Sequence, residues 1–101
     1  MRIVDYKGNR IELTDERWQH IISEHPEVKK FKDKLSDVLS MPDLVKRSKR
    51  SEDVFLYYRY YLEIFGGKHL LAVVKIGLRS FLLTCYVTDR VKGGGAIWKR
   101  K

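Results

Sequence analysis

Apolar residues recur every three or four positions between residues 14 and 40, whereas from 54 to 88 they alternate or run together, so the chain reads as helices followed by strands. Thr14 precedes Asp15, Glu16 and Arg17, and its hydroxyl can cap the free backbone N–H groups of a helix whose first turn is acidic. Trp18, Ile21, Ile22 and His25 fall at i, i+3, i+4 and i+7 on one face, and Pro26 disfavours helical geometry at His25, so that helix is expected to end near 25. Val28, Phe31, Leu35, Val38 and Leu39 repeat the spacing, with Lys29, Lys30, Lys32 and Lys34 between them, and predict a second amphipathic helix from Glu27 to Ser40. Met41-Pro42-Asp43 stops it.

Before the helices, residues 2–6 and 9–13 are short strand-like runs separated by Lys7-Gly8-Asn9, which reads as a small hairpin. After them, residues 44–47 suggest an edge strand leading into the polar run Ser48 to Asp53, a basic loop. Three long strands follow at 54–65, 69–76 and 79–88, linked by Gly66-Gly67 and by Gly77, which implies an antiparallel meander. Gly93-Gly94-Gly95 returns the chain for a short last strand at 96–98. The fold class is α+β: one domain over 1–101, with an N-terminal β-hairpin and two helices packed on a twisted antiparallel β-sheet.

Composition narrows the partners. The chain holds 21 Lys and Arg against 13 Asp and Glu, and the surplus is one-sided: residues 1–40 carry 8 of each sign, residues 41–101 carry 13 against 5. Such a distribution is the footprint of a polyanion binder, with RNA the first partner to consider; a solvated basic face kept for solubility is the plain alternative. Cys85 is the single cysteine, so neither an internal disulfide nor a Cys-based metal site is expected. No apolar run reaches the ~18 residues of a membrane span, and charge begins at Arg2, so the chain reads as a soluble, cytoplasmic protein without a membrane partner. Gly93-Gly94-Gly95 is neither a Walker loop nor a GxGxxG turn, and no cofactor is indicated.

Period-two alternation sorts the strands into faces. Val54, Leu56, Tyr58, Tyr60, Leu62 and Ile64 form the greasier set of the first long strand and are expected to meet the helices. That leaves Arg59, Lys75, Thr84, Tyr86 and Thr88, with Tyr57 or Tyr61, to gather on a partly open face if the strand registers permit. Rings stack bases, cations hold phosphates and hydroxyls orient them, so this mixture suits RNA. His20 and His25, on the first helix, can each move a proton near neutrality. Five residues apart, they diverge by about 140° around a helix, so only one can point inward, and His25 shares the face of Trp18 and Ile21. Their spacing also misses the i, i+4 metal pair, and no metal is expected. Arg90, after Thr88-Asp89, can bind phosphate at the end of the third strand, and Trp98 with Lys99, Arg100 and Lys101 can stack a base and clamp a phosphate.

Several segments in combination carry a family resemblance: Arg17-Trp18-x-His20-Ile21-x-x-x-His25-Pro26-Glu27, Tyr57-Tyr58-Arg59-Tyr60-Tyr61, Val73-Val74-Lys75, and Leu83-Thr84-x-Tyr86-x-Thr88-Asp89-Arg90-x-Lys92-x-Gly94 with Ile97-Trp98. Over nearly its whole length the chain resembles small phage and prokaryotic proteins of the barnase-EndoU-colicin-RelE-like (BECR) nuclease group. The resemblance implies a BECR or RelE-like fold and a metal-independent endoribonuclease, toxin-like in kind, in which the 2′-hydroxyl attacks its own phosphodiester to give a 2′,3′-cyclic phosphate. Carried over by position, His20 or His25 is the helix histidine, Arg59 and Lys75 stabilise the phosphorane, and Thr84, Tyr86 or Thr88 orients the phosphate, with Lys92 in the same motif. An antitoxin or immunity protein as partner, and a monomer or a homodimer, stay open. So do two other classes: a non-catalytic RNA-binding or ribosome-associated module on the same basic sheet, and a structural homodimer that buries Tyr57, Tyr61 and Tyr86 against a second copy.

Overall fold

The computed structural model describes residues 1–92 and 95–100. β1 (Arg2–Val4) and β2 (Arg10–Glu12) pair antiparallel as the expected hairpin. Asp5 closes its turn, because the buried carboxylate accepts hydrogen bonds from the backbone N–H groups of Lys7 and Asn9 and from the Asn9 side-chain amide, while Gly8 takes a φ of +89°. Tyr57, in the middle of the sheet, donates its hydroxyl to the same carboxylate, so the hairpin is tied to the core by a charge-assisted bond.

α1 (Asp15–Glu24) begins where the capping pattern placed it: the Thr14 hydroxyl oxygen accepts from the Arg17 N–H at 3.1 Å. It ends at His25, whose N–H donates to the Ile21 carbonyl before Pro26 breaks the ladder. The second expected helix divides in two, a 3₁₀ segment over Pro26–Lys34 and then α2 (Leu35–Ser40). Val28 and Phe31 are three apart and both bury, as a three-residue turn requires, and the crowded lysines do not pair with acids along an α-helical face. Instead their ammonium groups lie over aromatic rings, Lys30 over Phe31 and Phe65, Lys32 over Trp18, and Lys34 over Tyr61, and Lys34 also reaches Glu63 across the fold.

The remaining strands are β3 (Leu44–Arg47), β4 (Val54–Tyr61), β5 (Lys68–Lys75), β6 (Ser80–Thr88) and β7 (Ala96–Lys99). With the hairpin they make one curled seven-stranded sheet in the order β1-β2-β6-β5-β4-β3-β7. The meander of β4, β5 and β6 is antiparallel, as expected. Two expectations are corrected. The sheet is mixed, because β2 lies parallel to β6 through Ile11 opposite Ser80 and Glu12 opposite Phe81. β3 is interior, because β7 pairs on its outer side. β4 is also shorter than its apolar run: Phe65 takes a left-handed φ of +47° ahead of Gly66-Gly67, so residues past Tyr61 belong to the turn. Gly93 and Gly94 of the proposed return turn lie outside the described residues.

The helices cover one face of this sheet. Ile21, Val28, Leu35, Val38 and Leu39 from the helical half pack with Ile11, Val45, Tyr57, Leu70, Ala72, Val74, Leu82 and Cys85 in one core. No helix among the described residues is long and apolar enough to cross a membrane.

Candidate nucleic-acid face

Cross-strand partners share a face of a sheet, so the registers decide which candidates meet. Tyr57 pairs with Ala72 and Ala72 with Cys85, all in the helix-covered core; Arg59 and Tyr61, two and four residues on, share that side. The expectation for β4 is therefore reversed. Phe55, Tyr57, Arg59 and Tyr61 face the helices, and Val54, Leu56, Tyr58 and Tyr60 face away. The aromatic rings explain the choice: Tyr57 and Tyr61 are only 2% and 8% exposed, and the Tyr57 hydroxyl finds a partner in Asp5. Burial, then the Asp5 carboxylate, pushes the Tyr57 phenol well above its usual range.

Arg59 is accordingly withdrawn from the proposed cluster. Its guanidinium donates to the Met41 carbonyl at 2.6 Å and lies over the Tyr61 ring, with Nε buried and without a hydrogen-bond partner among the described residues. Lys75 pairs with Val54, five positions along β4 from Arg59 and on the other face, so the two cations do not meet. Tyr57 and Tyr61 bury within the chain, which removes them both as base-stacking residues and as the aromatic surface of a homodimer. Trp98 also turns to the helix side: opposite Val45, its ring lies 5.0 Å from that of Tyr6. Lys101, beyond it, lies outside the described residues.

The other candidates do share the open face. Val73 pairs with Leu56 and Thr84, Leu71 with Tyr58 and Tyr86, and His69 with Tyr60 and Thr88. Lys75 stands at one end of this face, where Lys46, opposite Leu56, adds a second cation. Lys75 reaches Asp53 at 3.8 Å, and the Ser51 hydroxyl, which donates to Asp53, is the main cause holding that carboxyl below its ordinary range. Tyr58, 1% exposed, and Leu71 form a small second buried layer here, roofed by the segment after β6. The Tyr58 hydroxyl accepts from the Lys92 N–H and donates to the Lys92 carbonyl, both at 3.0 Å, which pins this basic segment across the sheet. Thr88 is engaged locally, its hydroxyl donating to the Arg90 carbonyl and accepting from the Arg90 N–H at 3.1 Å.

The two helix histidines separate as their spacing requires. His20 is exposed, and its Nε2 lies 2.9 Å from Glu24 one turn on. His25, at the end of α1, stacks on Tyr86 with ring centroids 5.0 Å apart and planes at 25°. Among the described residues no strand pairs with β6 past Phe81 on its β2 side, so a group from the helical layer can reach the open face around that free edge. His25 also has Glu27 at 3.9 Å from its Nδ1. A third imidazole belongs to this end of the face and was not among the sequence candidates. His69 is a diagonal neighbour of Tyr86, a relation that spans about 7–8 Å in sheets generally, and packs edge-on against Tyr58 and Tyr60. Its Nδ1 is buried without a hydrogen-bond partner among the described residues. Its alternation with Leu71, Val73 and Lys75 was visible in the sequence, but the pairing with Thr88 was not.

Cys85 is buried in the core, and burial, with the Glu27 carboxylate second, raises its thiol to about 12, which makes it a poor nucleophile. Among the described residues no three His, Cys, Asp or Glu side chains converge as a metal site requires. The geometry thus defines a class of site: a half-open sheet face with aromatic rings, imidazoles and hydroxyls at one end and lysines at its margins. Comparison of the chain with protein-family models, curated proteins and solved structures finds no match.

Proposed function

We propose that the open face binds single-stranded RNA and cleaves it without a metal cofactor, with His25 as the proton-transfer residue. The observation that carries this reading is the His25–Tyr86 stack, which brings an imidazole to the face that also holds His69, Thr84 and Lys75. Cleavage needs a base to take the 2′-hydroxyl proton as its oxygen attacks phosphorus, and an acid to protonate the 5′-oxygen as the P–O5′ bond breaks. His25 and His69 are the two imidazoles on this face that can divide those roles, and the Lys92 ammonium, on the segment pinned over Tyr58, can balance the charge on the phosphorane, while Lys75 at the other end of the face can hold a neighbouring phosphate. Arg59 has no part in this scheme, since its guanidinium serves the helix side.

The test is incubation of the protein with mixed-sequence RNA in EDTA, followed by end-group analysis. The expected result is 2′,3′-cyclic phosphate ends, with His25→Ala slower by about 10²-fold or more, the usual worth of a general acid or base, and His20→Ala near wild type. RNA that stays intact yet shifts on a native gel would replace catalysis with binding alone, and RNA that neither shifts nor breaks would overturn the reading.

A further inference from the structure

Two adjoining clefts lie along the start of α1, the first of them between that helix and the paired ends of β2 and β6. One, of about 310 Å³, is lined by Glu12, Thr14, Arg17, Arg79, Phe81 and Leu82. The next, of about 490 Å³, shares Thr14 and Arg17 and adds Glu16 and His20. The helix and the strand run side by side here. Phe81 and Leu82 lie by Thr14 and Arg17 at one end, and Tyr86 stacks on His25 at the other. From Thr14 to His25 a helix rises about 16 Å, and from Phe81 to Tyr86 a strand advances about 16 Å, so α1 and β6 keep in step between these two points of contact.

The end remote from His25 is rich in arginine. Arg17 is exposed, and the Arg79 side chain is 80% exposed with one Nη 3.2 Å from Glu12. A third cleft on the other side of this ion pair, of about 380 Å³, is bordered by Arg2 and Arg10. The three clefts are therefore lined by four arginines, Arg2, Arg10, Arg17 and Arg79, against two acids among the described residues, Glu12 and Glu16. One carboxylate engages at most two of the five donors of the Arg79 guanidinium and leaves the rest for a second anion. The helix terminus itself contributes nothing to this argument, because Thr14 caps it and Asp15 and Glu16 already supply negative charge.

We propose that the α1–β6 crevice is the track of a single-stranded RNA and that Arg17 and Arg79 bind its phosphates, Arg17 about 12 Å along the helix from His25 and Arg79 about 23 Å along the strand from Tyr86. The proposal rests on the RNA reading above and extends it to a binding subsite on the back of the hairpin, several nucleotides from the reacting bond. It also explains why the positive charge of the first forty residues, balanced in number, is not balanced in place.

The experiment is titration of a labelled, uncleavable 2′-O-methyl oligonucleotide at several salt concentrations, with wild type, Arg17→Ala/Arg79→Ala, and a charge-matched control, Arg47→Ala/Arg50→Ala, at the opposite end of the sheet. All four side chains are exposed, so both variants fold. Releasing two single-strand phosphate contacts should make the slope of log K against log salt shallower by about 1.4 in the first variant, and by clearly less in the control. If the wild type binds but the Arg17/Arg79 variant keeps its slope, or the control loses as much, the crevice assignment falls and the RNA reading stands. If the wild type does not bind, the RNA reading fails first and the crevice with it.

Discussion

Tyr58 offers a direct test of how the open face is roofed. Its ring is almost fully buried, while its hydroxyl both accepts from the Lys92 N–H and donates to the Lys92 carbonyl. Tyr58→Phe keeps the ring and its packing and deletes both hydrogen bonds. Each neutral bond contributes about 1 kcal/mol net, so the segment carrying Arg90 and Lys92 should lose about 2 kcal/mol of local stability, a factor of roughly 30 in its opening equilibrium. Native-state hydrogen exchange reads this site by site. The Lys92 amide, whose acceptor has gone, should exchange at least about 30-fold faster, while amides in β4 and β5 change only by the smaller global loss seen in urea unfolding. Oligonucleotide affinity should fall as well, because the two cations are no longer held over the face. A Lys92 amide equally protected in both proteins would refute the clamp, and with it the account of why Tyr58 and Leu71 are buried on the face away from the helices.

Further expectations concern the core and its titration. Tyr57→Phe removes the hydroxyl donor to the buried Asp5 carboxylate and should cost about 1.5–3 kcal/mol in urea unfolding at neutral pH; a change below about 0.5 kcal/mol, the scatter of neutral surface changes, would show that the bond adds nothing. Burial raises the phenols of Tyr6, Tyr57, Tyr58 and Tyr61 in the fold, so the neutral forms are favoured there; their stabilisation is complete below the ordinary tyrosine value of about 10 and is lost as pH rises above it. Alkaline unfolding curves should therefore steepen above that pH, and Tyr57→Phe should flatten the slope by up to about 1.4 kcal/mol per pH unit; equal slopes in the two proteins would contradict the assignment. Cys85 should resist thiol reagents at pH 8 in the native protein and react at once in denaturant; fast native labelling would mean that β6 opens readily.

The features legible in the sequence were local ones. Thr14 and Pro26 bracketed the first helix because a cap and a proline act on the adjacent turn, and Gly66-Gly67 and Gly77 punctuated the meander because glycine permits backbone that other residues resist. Alternation likewise told which residues of one strand share a face. It could not tell which of the two β4 faces meets the helices, since both carry apolar rings and Tyr57 and Tyr58 both bury. Hydropathy was balanced, and the deciding group, Asp5, lies 52 residues away in the chain.

Relations between strands depended on register, and a slip of one residue exchanges every side chain between faces. The irregularity between Val73 and Val74 offsets β6 by one residue, so that Leu82 enters the core opposite Val74 although Thr84, Tyr86 and Thr88, with which it alternates in sequence, stay on the side of Lys75. For the same reason Arg59, which lies between Tyr57 and Tyr61 in sequence, ended on the back of the sheet, while His69, at the start of its strand, joined His25 and Tyr86. By itself the sequence determined the elements, their order and the excess of positive charge, because these follow from nearest neighbours and composition. Only the tertiary structure decided the mixed pairing of β2 with β6, the inner place of β3 and the membership of the candidate site, because these arise from contacts between segments far apart in the chain, whose energies no local pattern encodes.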